Sequence, residues 1–300
     1  MPGLKHIVKF SVQSLLDSLL EILELGGLYD SHRYPTSSSP FLSGDTFMAL
    51  ASSIRTKLYS LDRNNHTSPS RQHILFVDEQ GAKINTISTL AGSLDTVIYH
   101  NTDKPPAQAF REWLHQNNIR LFSVNIRPQY PLEQPIPLGI ENPSLRGVSP
   151  LSYYNLISSL HLFKKTNRIF LSIRENTNLT ERQFCLNELH LLGIRNQSVS
   201  PRTYRRLLGS SKFTVCPPGN GLDTHRFWEA LYHRSIPIIL RKDYLFSDYD
   251  FPVLQLDHWS DLRQLSPEDL DSIYSSHEKN LDFCPQLYSN YWSYKLLICS

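Results

Sequence analysis

Several things are scarce in this chain, and each scarcity removes a class of function. Cysteine occurs only four times in 300 residues, at Cys185, Cys216, Cys284 and Cys299, with no CxxC pair. That spacing argues against a zinc knuckle or a disulfide scaffold and fits a reducing compartment. Net charge is +2, from 30 Lys and Arg against 28 Asp and Glu. Without a concentrated basic face, nucleic acid is not expected as a partner. No apolar run is long enough for a membrane span or a signal-peptide core, so a cytoplasmic protein is expected. A G-x-S-x-G nucleophile elbow is missing as well, which weakens any hydrolase reading. No internal repeat and no low-complexity tract interrupts the sequence.

What is present is enough apolar residue for a sizeable core. Hydrophobic residues make up 40% and charged residues 19% of the chain, the balance of a globular protein rather than a disordered one. Residues 1–28 carry Leu15, Leu16, Leu19, Leu20 and Leu23 at helical spacing, broken by Lys9, Asp17, Glu21 and Glu24. They read as an amphipathic helix whose apolar face packs on the protein, on a membrane surface or on a second copy. Peripheral membrane contact therefore stays open, and oligomeric state is not legible.

Beyond a linker-like stretch at 63–70 the pattern alternates. Strands are expected over 73–78, 95–99 and 120–124, with helices over 82–91 and 107–116 between them. A Pro-rich passage at 128–150 follows and is read as the crossing between two domains. Then come a helix over 151–164, a strand over 168–173, helices over 180–192 and 201–210, and a strand at 212–216. Short strands separated by roughly ten-residue helices indicate parallel βαβ units. The expected architecture is α/β, with two Rossmann-like domains facing a cleft. Its parts are an N-terminal helical and loop segment (1–70), an acceptor domain (71–145) and a nucleotide-sugar-binding domain (146–300).

Residues 211–240, SKFTVCPPGNGLDTHRFWEALYHRSIPIIL, are the densest in information. An apolar strand stops at Pro217-Pro218-Gly219-Asn220-Gly221, because prolines remove ladder donors and glycines permit unusual backbone angles. Asp223 or Thr224 then offers an N-cap oxygen. The helix runs to about residue 233 with Thr224, Phe227, Trp228 and Leu231 along one apolar stripe. A second strand, Ile236-Pro237-Ile238-Ile239-Leu240, closes the unit. His225 and Arg226 in the first turn oppose the helix macrodipole, a conflict that a bound phosphate or diphosphate would resolve. Glu229, one turn on, would accept hydroxyls from a ribose or a sugar, or else would simply pair with His225 or Arg226.

Other candidates come from strand ends, where α/β sheets bind their ligands. Arg174 follows one strand and would meet the same diphosphate. In the first half, Asp78, Glu79, His100 and Asp103 follow strands and are candidate general bases, with His100 and Asp103 favoured. Asp248-Tyr249-Asp250 has the spacing of a metal-binding Asp-x-Asp but lies in an aromatic loop. No other ligand set is evident, so no metal and no other cofactor is expected.

The run Asp223-Thr224-His225-Arg226-Phe227-Trp228-Glu229-Ala230-Leu231, followed by Ser235-Ile236-Pro237-Ile238, resembles the signature of exostosin-like glycosyltransferases. Those enzymes carry a comparable R-F-W-E-A-L helix and then G-x-I-P-V in the nucleotide-sugar half of a GT-B fold. Weaker echoes extend to residues 135–142 and 251–262. Where the family often has Gly, this chain has Arg234-Ser235. The resemblance implies a metal-independent transfer of a sugar from a nucleotide-sugar donor to a glycan, lipid-linked or other hydroxyl acceptor. Together with the strand-end reading above, it gives donor contacts at Arg174, Gly219, Asn220, Gly221, Asp223, Thr224, His225, Arg226 and Glu229, with catalytic roles for His100, Asp103 and Glu229. Two alternatives stay open, a non-catalytic nucleotide- or sugar-binding module and a hydrolase of a phosphorylated substrate.

Overall fold

The longer strands here are short apolar runs rich in β-branched and aromatic residues. In a computed structural model, which describes residues 41–62, 73–142, 164–281 and 284–298, they build two sheets. The first contains β1 (His73–Val77), β2 (Leu94–Tyr99), β3 (Arg120–Ser123) and β4 (Glu133–Pro135), all parallel and in that order. The second contains β5 (Asn167–Phe170), β6 (Ser211–Val215), β7 (Ile236–Leu240) and β8 (Leu254–Leu256), again parallel and in order. Each sheet therefore runs in chain order among the described residues, without the reversal of strand order found in a doubly wound sheet. The α/β class with two four-stranded parallel sheets agrees with the alternating pattern of the sequence.

Parallel strands are buried on both faces, and the first sheet illustrates why its strands alternate. Ile74, Ile98 and Phe122 face one cluster, where they meet Phe47 and Ala51 of α1 (Gly44–Asp62). Val77, Val97, Tyr99 and Leu121 face the other, against Phe110 and Leu114 of a helix following β2. The helices before that point are α1 and a short α2 (Ile84–Ile87), so the one after β2 is α3 (Gln108–Gln116). In the second half α4 (Leu179–Leu191) and α5 (Pro201–Ser210) link β5 to β6, and α6 (His225–Tyr232) links β6 to β7. The chain continues through α7 (Pro267–Leu281) to α8 (Ser289–Ile298). α8 crosses back onto α1, with the Trp292 and Phe47 rings 6.0 Å apart.

One apolar cluster runs without a break from Phe47 and Ile98 to Phe213, Val215 and Ile238. The two halves thus share a core. The Pro-rich passage is also more structured than a crossing loop: its residues 128–142 supply β4, and Ile136, Leu138 and Ile140 behind it are buried. The expected helices over 1–28 and 151–163 and the linker at 63–70 lie outside the described residues. Among the described residues, no helix is long and apolar enough to cross a membrane.

Two local features position α6. Its C-terminus closes with Ser235 N–H donating to Ala230 O at 2.8 Å and Arg234 N–H to Leu231 O at 2.9 Å. Such an ending needs a left-handed residue, and Arg234 takes φ 56° there. This is the place where the signature that this stretch resembles often has Gly, which adopts that angle without strain. At the other end the loop before α6 presses against the first half. A Cβ on Gly221 would stand 2.5 Å from the Asp103 carbonyl oxygen and 2.6 Å from the Asn125 amide. Gly221→Ala should therefore destabilise the fold by about 1–3 kcal/mol, the range for overpacking. A urea titration whose midpoint stays at the wild-type value would refute this close approach.

Candidate functional site

An open cavity of about 540 Å³ is lined by residues that follow the carboxyl ends of four strands. Glu79 comes after β1 and Asn101, Thr102, Asp103 and Lys104 after β2; Thr177 and Asn178 come after β5, Gly219 and Asn220 after β6. Every one of these is polar or glycine. Across it the Asn220 amide donates to the Asp103 carboxylate at 3.0 Å, joining the two sides. Asn178 holds the loop from beneath, its amide donating to the Gly219 carbonyl at 3.1 Å while its oxygen caps α4.

Beside the cavity Asp223 ties the halves together. It is buried; its Oδ2 accepts the Leu138 N–H at 2.8 Å, and its Oδ1 accepts the Trp228 indole N–H at 2.8 Å. Its own N–H donates to Asn125 Oδ1 at 2.8 Å. Burial pushes the carboxyl up to about 7, against the opposing pull of the Leu138 and Trp228 donors. The capping role expected of Asp223 and Thr224 is corrected here. Thr224 is the N-cap residue by position, but no side-chain oxygen caps the helix. Asp223 instead turns toward the tryptophan and the first half.

The first turn of α6 is cationic, as the sequence indicated. His225 Nδ1 lies 2.7 Å from the Gly139 carbonyl, which only accepts, so Nδ1 carries the proton and Nε2 is left available. The Arg226 Nε is buried and has no hydrogen-bond partner. Glu229 accepts the Tyr204 hydroxyl at 3.0 Å rather than pairing with His225 or Arg226. On the apolar side Phe227, Trp228 and Leu231 are buried, and the aromatic loop closes over them, with Trp228 5.2 Å from both Phe246 and Phe251. That packing explains why the Asp248-Tyr249-Asp250 loop is aromatic. Among the described residues, no group of three or more His, Cys, Asp or Glu is arranged to hold a metal ion.

The remaining candidates are dispersed. Arg174 is exposed; its carbonyl accepts from Arg182 while its side chain makes no bond among the described residues. Within the Gly219–Gly221 turn the Gly219 N–H donates to the Gly221 carbonyl at 2.9 Å, so that donor is not open to a ligand. Asp78 is a turn residue, accepting the N–H groups of Gln80 and Gly81. Glu79 forms an exposed ion pair with Lys104 at 3.4 Å. His100 requires a correction. It is buried, Nδ1 accepts the Asn101 N–H at 2.7 Å, and Nε2–H donates to the Pro137 carbonyl at 3.1 Å. With both nitrogens occupied and burial pushing it down to about 4, it has no lone pair for an incoming hydroxyl. Asp103 is exposed and lines the cavity.

Three residues at this site escaped the sequence reading. Asn125, in the left-handed region at φ 54°, receives the Asp223 N–H. Tyr204 orients Glu229. Arg182 is buried on α4 in line with Cys185 and Leu189, where a charge interrupts an apolar stripe. That interruption is the one signal of the three a sequence could have yielded. Compared with protein-family models and with curated proteins, the chain matches none.

The buried carboxyl makes a pH prediction. A carboxyl raised from 3.8 to about 7 by folding favours the folded state below about pH 4. As pH rises, the unfolded chain releases that proton first, so this stabilisation is lost progressively up to about pH 7. His100 acts with the opposite sign: its contribution is present above pH 6.5 and lost as pH falls toward 4. The difference between wild type and Asp223→Asn isolates the carboxyl. Urea titrations from pH 4 to 8 should show the Asn variant gaining on wild type as pH rises. Parallel curves would mean that Asp223 ionises as freely in the folded protein as in the unfolded chain.

Proposed function

We propose that this chain is an exostosin-like glycosyltransferase of GT-B type, taking a nucleotide-sugar donor on its second half and a hydroxyl acceptor on its first. The observation that carries the reading is the polar cavity between loops of both sheets, one of whose loops, through Gly219 and Asn220, leads into α6 with His225 and Arg226 in its first turn. A transferase needs two substrates held face to face, and strand ends of two sheets around one cavity supply such a place. His225 and Arg226 lie where a diphosphate would neutralise them, and the leaving nucleotide would keep that compensation as its charge develops. Glu229, oriented by Tyr204, retains one carboxylate oxygen without a bond among the described residues for a ribose or sugar hydroxyl. Asp103 is the base in this reading, with His100 a buried prop behind it.

The donor half is tested by ligand binding. A thermal-shift screen against UDP, GDP, CMP and TDP, with and without an attached sugar, should find one base that stabilises the fold. At a hundredfold excess over the dissociation constant the gain is about 2.7 kcal/mol. Arg226→Ala should weaken binding by roughly 1–3 kcal/mol, the range for a charge-assisted contact. A flat screen across all four nucleotides would remove the donor site.

One observation favours the second reading, a binding module without chemistry. Asp103 already holds a hydrogen bond from Asn220, and His100 has no nitrogen to spare. Asp103→Asn separates the two. In the transferase, sugar transfer should fall by at least a hundredfold, the lower end for loss of a general base, while nucleotide affinity stays as it was. A chain that binds nucleotide tightly but transfers no sugar, to water or to any hydroxyl acceptor, is the module.

A further inference from the structure

Arg182 is the most deeply buried cation near the cavity, at 5% exposure. Its guanidinium is committed on two sides. Nε donates to the Pro218 carbonyl at 2.9 Å and Nη1 to the Arg174 carbonyl at 2.6 Å, so the fork cannot swing away without releasing the loop. The third nitrogen, Nη2, makes no bond among the described residues. It stands 2.9 Å from the point where a Cβ on Gly219 would be, and Gly219 lines the cavity. Gly219 does not need glycine for its backbone angle, because its φ is outside the left-handed region. What the missing side chain does is leave Nη2 uncovered.

A second guanidinium belongs to the same corner: the methyl of Thr224, the N-cap residue of α6, lies 3.7 Å from that same Cβ point, and Arg226 follows two residues on. Arg226 has its Nε buried without an acceptor, and its charge, after burial itself, is what pushes Arg182 down to about 10. Two like charges are thus held together where the nearby thiols, Cys185 and Cys216, are neutral because burial raises both. Asp223 does not compensate them, being turned to Leu138 and Trp228. Of the carboxylates nearby, Glu229 is bonded to Tyr204 and Glu181 to Lys242 and Trp259, and neither forms an ion pair with Arg182 or Arg226 among the described residues. Buried cations without matching anions are unfavourable unless something fills the deficit.

We propose that Arg182 Nη2 and Arg226 Nε form a subsite for a phosphate group, reached through the gap that Gly219 leaves in the cavity wall. Paired N–H edges on rigid guanidinium planes match phosphate oxygens better than a single ammonium would. Identifying that phosphate with the diphosphate of a nucleotide sugar rests on the function proposed above; the anion subsite itself rests on the two arginines. Arg182 becomes a binding residue, and Gly219 is selected for the side chain it lacks.

Inorganic pyrophosphate is the probe, titrated calorimetrically into the full chain at low salt. Wild type should bind it. Gly219→Ala should weaken binding at least tenfold; its Cβ would stand 2.9 Å from Nη2 and the tethered guanidinium must give slightly, so a small fall in melting temperature is expected and binding is measured well below it. Arg226→Gln should weaken it similarly. Arg182→Met should abolish binding, but it also frees the loop, so the alanine variant decides. Wild-type binding with Gly219→Ala unaffected overturns the subsite, as does absence of pyrophosphate binding in wild type. If pyrophosphate binds and Gly219→Ala weakens it while no nucleotide sugar is turned over, the subsite stands and the transferase reading falls.

Discussion

Asp223 holds this architecture in place. A carboxylate in an apolar interior is costly unless its oxygens are saturated, and here they are, by one backbone N–H and one indole N–H. The two donors belong to different halves: Leu138 follows β4 in the first sheet, and Trp228 is on α6 in the second. Its backbone completes the tie through Asn125. Several consequences follow from one side chain. It fixes the axis of α6 and brings the loop of Gly219 to Gly221 against Asp103. It also makes the junction stiff, because parting the halves would strand a buried donor on each side.

That stiffness changes how the site would work. A Pro-rich crossing suits a hinge, and closure about it would exclude water from a bound donor. Instead residues 128–142 form a strand and a buried wall, and the apolar core is shared. Further ties flank it: Leu42 N–H donates to the Tyr232 hydroxyl at 3.0 Å, and Arg127 donates to the Lys242 and Tyr244 carbonyls. The cavity is therefore shaped by the loops after β1, β2, β5 and β6 rather than by a rotation of domains. In the function proposed above, preorganisation of this kind would place polar groups before a substrate arrives and lower the reorganisation required of the site.

Much of the fold was legible because its signals are local. The six expected strands fell within a residue or a few of their edges, since apolar runs flanked by polar turns admit few other readings, while the three-residue β4 and β8 carry too little pattern to be read. The helix after Thr224 was legible for the same reason, down to the stripe of Phe227, Trp228 and Leu231. What escaped is non-local. No spacing announces that Asn125 meets Asp223, 98 positions away, or that Tyr204 orients Glu229. His100 misled because a polar run after an apolar strand looks like a site mouth. Its ring nitrogens find partners only once Pro137 folds behind it.

The paired glycines show how one motif carries two different constraints. Read in sequence, Gly219 and Gly221 are equivalent, both loosening a loop before a helix. In three dimensions Gly221 is pressed against backbone of the other half, where any side chain collides with atoms that cannot move. Gly219 meets the end of an arginine and, at ordinary contact distance, the Thr224 methyl. The first is a packing requirement and belongs to the junction that Asp223 secures. The second leaves a charged nitrogen uncovered in a place where covering it would cost nothing in backbone geometry. A fold under selection for stability alone would gain by placing a side chain or a carboxylate over that charge. Leaving both arginine edges bare favours the fold less than it would favour an anion, and that imbalance is the physical ground of the subsite proposed above.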